Sequence, residues 1–193
     1  AHLLMTAGRT VHLGGNLGVS LLPLVDQIEP TDWVVLELSS FQLADLDRIQ
    51  ASPEIAVVTN FAPNHLDWHP DLDDYRRAKQ TILRWQTADS SAVLNADDED
   101  VREWPTAGER VDFGQSSFVP PKGCSRAVLD GKWLRLGGER FASMPALEIP
   151  VGDLFPLPGE HNRMNAAAAI CAALAAGVDA AAATFSAYRA RWY

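Results

Sequence analysis

Short apolar runs that alternate with helix-patterned segments constrain this chain more than any other feature. "RTVHLGG", "DWVVLELS", "EIAVVTNF" and "SAVLNAD" read as strands, the third rich in β-branched residues. Between them, "SLLPLVDQI" reads as a helix broken near Pro23. "FQLADLDRI" has helical apolar spacing at Phe41, Leu43, Leu46 and Ile49. "DLDDYRRAKQTILRWQ" starts with acids that favour a helix N-terminus. Strands joined through helices predict an α/β fold, a mostly parallel sheet flanked by helices with right-handed crossovers.

Other stretches fill in the frame. "AHLLMTAG" reads as the last turns of a helix closed by Gly8. From about residue 109 to 149 the pattern changes to short strands, "RVDFG", "SRAVLDG", "KWLRLGG" and "ERFASM". Turn signals fall at Asp130-Gly131 and Gly137-Gly138, which predicts a small antiparallel insert. The α/β pattern then returns in an Ala-rich helix over residues 162–176, closed by Gly177. No internal repeat interrupts this order.

Charge and cysteine content narrow the function classes. With 193 residues the chain suits one domain, or one and part of another. The formal net charge of −9 and the lack of a basic stripe exclude a nucleic-acid backbone as partner. No apolar run reaches membrane-spanning length and no secretory leader is visible. The two cysteines, Cys124 and Cys171, form no CxxC pair and fit a reducing cytosol.

The segment "WVVLELSSFQL", residues 33–43, reads as a strand buried on both faces that nevertheless ends in an acid and two hydroxyls. In open parallel sheets ligands gather beyond the carboxyl ends of the strands. Four polar sets fall there: Asn16 after the first strand, and Glu37, Ser39 and Ser40 after the second. Asn60, Asn64 and His65 follow the third, and Asn95, Asp97 and Asp98 the fourth. Glu37 either takes a partner such as Mg2+, which oxygen ligands suit, or pairs with an arginine or a helix end. His65 and His69 stand four apart in "NHLDWH", a spacing that serves either a metal pair or a loop whose Trp68 packs down. Lys79 belongs either to a solvated helix face or to the cleft, where carbamylation would turn a cation into an oxygen ligand. Asn162 and Asn165 share a helix face and offer donors and acceptors suited to an adenine edge; capping by Asn162 is the alternative. "LGGNLG" is a tight turn or a phosphate-approaching loop. It matches neither GxGxxG nor GxxxxGK[ST], and neither motif occurs elsewhere in the chain.

Taken in order, "GGNLG", "LELSSFQL", "NFAPNHLDWH", "YRRAKQTIL", "LNADDE" and "LPGEHNRMNAAAA" resemble the Mur ligases along nearly the whole chain. The form "ELSSFQL" resembles the members that add D-glutamate to UDP-N-acetylmuramoyl-L-alanine. The resemblance implies a P-loop NTPase-like central domain and a cytoplasmic ligase, monomeric at full length, that uses ATP and Mg2+ through an acyl phosphate. It implies that Glu37 and His65 bind Mg2+ and that Lys79 is the carbamylated lysine. Lys79 and His65 are then the catalytic pair. Asn16, Ser39 and Gln42 would hold the UDP-muramoyl substrate, and Asn162, Asn165 and Arg191 the adenine nucleotide. The context of Arg191, "FSAYRARWY", departs from the family's usual run. The family's phosphate-gripping loop and its two outer domains have no counterpart in the sequence. The expectation is a central domain over residues 1–184 that lacks its N-terminal part, followed by the start of a linker over 185–193 and inactive as a ligase alone. A related ligase such as a folylpolyglutamate synthase, and a non-catalytic nucleotide-binding module, are the alternatives.

Overall fold

The computed structural model describes residues 1–16, 19–62, 68–115, 124–144, 148–151 and 159–179. Helix α1 (His2–Thr6) ends as expected at Gly8, whose φ of 77° lets its N–H reach the Met5 carbonyl while Arg9 N–H reaches Leu4. Strand β1 (Val11–Gly15) follows, then a 3-10 helix (Leu22–Gln27) started by Pro23. Next come β2 (Trp33–Glu37), α2 (Ser40–Arg48), β3 (Ile55–Val58), α3 (Leu72–Arg84) and β4 (Ser91–Asn95). Strands β5 (Glu109–Gly114), β6 (Ser125–Asp130), β7 (Trp133–Gly137) and β8 (Glu148–Pro150) complete the sheets. Helix α4 (Glu160–Ala175) is the Ala-rich one; it starts two residues before Asn162, with Gly159 at its N-cap position, so Asn162 is not the cap.

The strands form two sheets among the described residues. One is the parallel pair β1–β2; the other runs β3-β4-β5-β6-β7-β8. Strands β3 to β6 are parallel, and β6, β7 and β8 are antiparallel. The α/β architecture and mostly parallel sheet agree with the sequence reading. The expected antiparallel part is present as β6, β7 and β8 and extends the main sheet; it is smaller than expected, because β5 pairs in parallel with both β4 and β6. "ERFASM" is a 3-10 turn (Glu139–Phe141) and not a strand.

Both faces of the six-stranded sheet are covered. Alternation along β4 sends Val93 to one face, where it joins Val111, Phe113 and the buried residues of α1 and α4. Ala92 and Leu94 point to the other face with Leu83 of α3, Val101 and Trp104. Each fully buried Leu or Val on these faces contributes on the order of 1.5–3 kcal/mol. Strand β2 departs from the expectation of double burial. Val34 is 43% and Leu36 47% exposed, because β2 belongs to a two-stranded sheet with one face uncovered. A cavity of about 790 Å³ separates β2 from β3, and the alanines of α4 line it.

Candidate active site

The carboxyl end of β2 carries the site. Gly15 has φ 108°, and a Cβ there would collide with the Glu37 carbonyl oxygen, so the ends of β1 and β2 approach closely. The next N–H, from Asn16, donates to that carbonyl at 2.7 Å. Asn16 and Glu37 are therefore neighbours, as their positions after adjacent strands predict. The Glu37 side chain is exposed.

Helix α2 starts three residues after Glu37 with a capping box. Gln42 N–H donates to Ser39 Oγ at 3.3 Å, and Ser39 N–H donates to Gln42 Oε1 at 2.9 Å. The Ser39 hydroxyl also donates to Gln42 Oε1 at 3.1 Å. Ser39 and Gln42, two of the three residues assigned to substrate by resemblance, thus hold each other and the helix end. Ser39 would have to exchange this bond to reach a ligand.

Lys79 stands on α3 and is half-buried, with its ammonium 6.0 Å from the centre of the Tyr75 ring. Burial pushes its pKa down; the nearby Glu37 carboxylate opposes that shift. Lys79 and Glu37, 42 positions apart in sequence, are thus close enough for their charges to interact. The acid offers a hard oxygen donor, which fits Mg2+. His65 and Asn64 lie outside the described residues, as does Arg191. Asn162 and Asn165 line the groove that also touches Leu36 and Leu38.

The polar residues after β4 have structural work. Asn95 donates to the Thr59 carbonyl at 2.7 Å and ties the ends of β4 and β3. Asp97 accepts from Gln115 N–H at 2.6 Å; Asp98 accepts from Phe61 N–H at 2.8 Å and caps the turn at Val101. No group of three or more histidine, cysteine or acidic residues is placed to hold a metal among the described residues.

The metal pair, one of the two readings left open for His69, does not describe it. It precedes α3, is 1% exposed, and has both ring nitrogens engaged: Nδ1 with Asp74 Oδ2 and Nε2 with Ser40 Oγ, each at 2.9 Å. A carboxylate only accepts, so Nδ1 carries a proton; in the neutral ring Nε2 accepts from the Ser40 hydroxyl. The order Ser–His–Asp matches a hydrolytic triad, but Ser40 is 1% exposed in the first turn of a helix, which bars nucleophilic attack on a substrate. Sequence reading missed this trio because Ser40 and His69 are 29 residues apart. The only cue was a histidine placed just before an acid-rich helix start.

A mostly parallel α/β sheet arrangement with an acid and an amide side by side at the carboxyl ends of β1 and β2 has the form in which open sheets place their ligands. The chain matches the Mur ligase middle domain over residues 2–173 and belongs to that family. It is 39% identical over 179 residues to a UDP-N-acetylmuramoylalanine–D-glutamate ligase of Acidobacterium capsulatum, covering 92% of this chain and 37% of that protein. A ligase of the same name from Symbiobacterium thermophilum is 41% identical over 177 residues, with 91% and 37% covered. The chain thus spans a little over a third of the length of these relatives. Among solved structures, the MurF ligase of Thermotoga maritima in complex with ADP superposes with a TM-score of 0.61 at 20% identity, covering 95% of this chain and 43% of that one. MurF of Acinetobacter baumannii gives 0.59 at 20% identity, with 96% and 46% covered. At these identities the structural likeness concerns the fold.

Proposed function

We propose that the chain is the nucleotide- and metal-handling part of a ligase that adds D-glutamate to UDP-N-acetylmuramoyl-L-alanine in peptidoglycan precursor synthesis. The observation that carries this reading is the 39% and 41% identity, over about nine-tenths of the chain, to UDP-N-acetylmuramoylalanine–D-glutamate ligases, supported by the placement of Asn16 against Glu37 at the strand ends. In the reaction, a substrate carboxylate oxygen attacks the terminal phosphorus of ATP and ADP leaves. The D-glutamate amine then attacks the acyl carbon, loses a proton, and phosphate departs. Alignment of the amine and the acyl group supplies much of the rate.

Glu37 would hold Mg2+, and His65 would contribute on the same rim. Bound Mg2+ supplies charge neutralisation for the crowded phosphoryl oxygens. Lys79 would be carbamylated: its neutral amine adds to CO2 and releases one proton, and burial raises the neutral fraction by lowering the pKa. Asn16 would meet the muramoyl substrate beside Glu37, with Ser39 and Gln42 at the helix start. Asn162, Asn165 and Arg191 would meet adenine. Such a ligase works on soluble precursors in the cytoplasm, as a monomer; no helix among the described residues is long and apolar enough to cross a membrane.

The groove between β2 and β3 supports a further part of the reading. Parallel strands pair at about 4.8 Å, and two facing strand edges held apart leave a position for another strand. In the longer relatives the remaining two-thirds of the length can supply it. In such a protein this chain would be the middle domain.

The full-length protein should form ADP only when UDP-N-acetylmuramoyl-L-alanine is present and should prefer D-glutamate over other amino acids. Glu37→Gln should cut kcat by about a hundredfold or more, since a preorganised charge is worth several kcal/mol in such a site. Preference for another amino acid would make it a related ligase. Nucleotide binding without turnover would make it a binding module.

A further inference from the structure

The two sheets share no strand pairing among the described residues, so Glu37, which ends β2, and Lys79, on α3, are not set relative to each other by a common sheet. Their relation runs through α2 and α3, which pack side by side. Two polar ties join these helices. At one end, Asp47 of α2 accepts from the Trp85 indole at 2.8 Å and pairs with Arg84 at 2.8 Å. At the other end, His69 bridges Ser40, in the first turn of α2, to Asp74, in the first turn of α3. The second tie lies nearer Glu37, which is three residues from Ser40 and ten from Asp47, while Lys79 is five residues from both Asp74 and Arg84.

The His69 tie is also the better insulated. Phe41 stacks parallel to the imidazole at 5.9 Å, and Trp68 and Tyr75 meet it edge-on at 4.6 and 5.2 Å. A buried ring with both nitrogens bonded has one orientation, since any rotation leaves two polar groups unsatisfied at about 1–3 kcal/mol each. Tyr75 of this cage is the ring nearest the Lys79 ammonium.

We propose that His69 is a positioning residue: by bonding Ser40 and Asp74 at once, it locks the first turns of α2 and α3 together and so fixes the placement of Glu37, which ends the strand before α2, relative to Lys79 on α3. This rests on the ligase reading for its effect on turnover, but the coupling of the two helices stands apart from it. His69 itself touches no substrate.

The test uses the full-length protein with His69→Phe, which keeps a ring in the aromatic cage without its nitrogens, and His69→Gln, whose amide can both donate and accept. At a temperature where each variant is folded, His69→Phe should lower kcat by about 10–100-fold, the range for residues that orient ligating groups, with KM for ATP and the UDP substrate within about threefold. His69→Gln should recover part of that loss. Amide hydrogen exchange should speed up at the first turns of α2 and α3 in His69→Phe and stay unchanged around Asp47 and Trp85.

A folded His69→Phe with kcat within twofold of wild type overturns the proposal, as does equal activity of the Phe and Gln variants, which would assign the effect to ring packing. If His69→Phe does not fold, Ser40→Ala decides: it removes one bond only, and an unchanged kcat overturns the idea. A wild-type protein that forms no ADP with its substrates refutes the ligase reading alone; the exchange pattern still reports on the helix coupling.

Discussion

Strands β4 and β2 make an instructive pair. "SAVLN" and "WVVLE" are both apolar runs that end in a polar residue and pair in parallel with a neighbour. In β4, Ala92, Val93 and Leu94 are all fully buried, because neighbours pair on both sides and helices cover both faces. In β2, Val34 and Leu36 remain nearly half exposed, with one strand neighbour and a groove on the other side. The same kind of sequence thus buries or not according to what lies beside it, and apolar pattern alone reports only the capacity for burial.

Paired truncations test this most strongly. Leu94→Ala should cost about 2–5 kcal/mol in urea denaturation, the range for a buried leucine. Leu36→Ala should stay within about 0.5 kcal/mol, as for exposed positions. Similar costs for the two would mean that β2 is covered in solution and the contrast is wrong. In a longer protein whose added strand fills the groove, the Leu36→Ala cost should rise toward that of Leu94→Ala.

The small sheet is not permissive everywhere. Gly15 holds φ 108° against the Glu37 carbonyl, so Gly15→Ala adds both backbone strain and a collision. The expected cost is about 1–3 kcal/mol. Because Asn16 and Glu37 adjoin this contact, the Asn16 amide should also lose its hydrogen-exchange protection. A neutral Gly15→Ala would show that the β1–β2 ends sit further apart than described.

The same comparison shows which parts of the molecule could be read from residues. The alternation of strands and helices up to β4 was legible, since each element carries its own period and stop signal, such as Gly8 or the acids before α3. The parallel pairing of β5 was not. The connection from β4 contains only a short 3-10 turn (Val101–Glu103), so the helical pattern that usually marks a parallel crossover is missing. The hairpin at Asp130-Gly131 was legible, and Gly131 has the positive φ of 58° that such turns need. At the site, Glu37 and Asn16 could be placed by the strand-end rule. The engagement of Ser39 with Gln42 and of His69 with Ser40 and Asp74 could not, because side-chain partners depend on packing that pattern does not encode.

Ser39→Ala separates cap from substrate contact at the junction of the two regions. Loss of the cap should cost about 1 kcal/mol, while Ser39→Asn, another good cap, should cost less than about 0.5 kcal/mol. If Ser39 also holds substrate, KM for the UDP substrate rises in both variants; if it only caps, KM stays constant in Ser39→Asn.

The smallest effect is expected at the far tie between α2 and α3. The Trp85 indole N–H, helped by the Arg84 guanidinium, holds the Asp47 carboxyl below the ordinary value of 3.8, against the opposing effect of burial. In the interval between the folded and ordinary values the unfolded chain binds the extra proton, so stability rises with pH there. The contribution is complete above about 3.8 and is lost as pH falls through the lower folded value. Asp47 is 37% exposed, so solvent screens the interaction and the effect is modest. Asp47→Asn keeps an oxygen for the Trp85 N–H but removes the titration, so its acid denaturation curve should be shallower than wild type below the ordinary carboxylate range. The Trp85 indole resonance should shift with pH in the wild type over the same window and stay fixed in the variant. Identical acid limbs would show that this tie carries no charge-dependent stability, leaving the coupling of α2 to α3 to the His69 end alone.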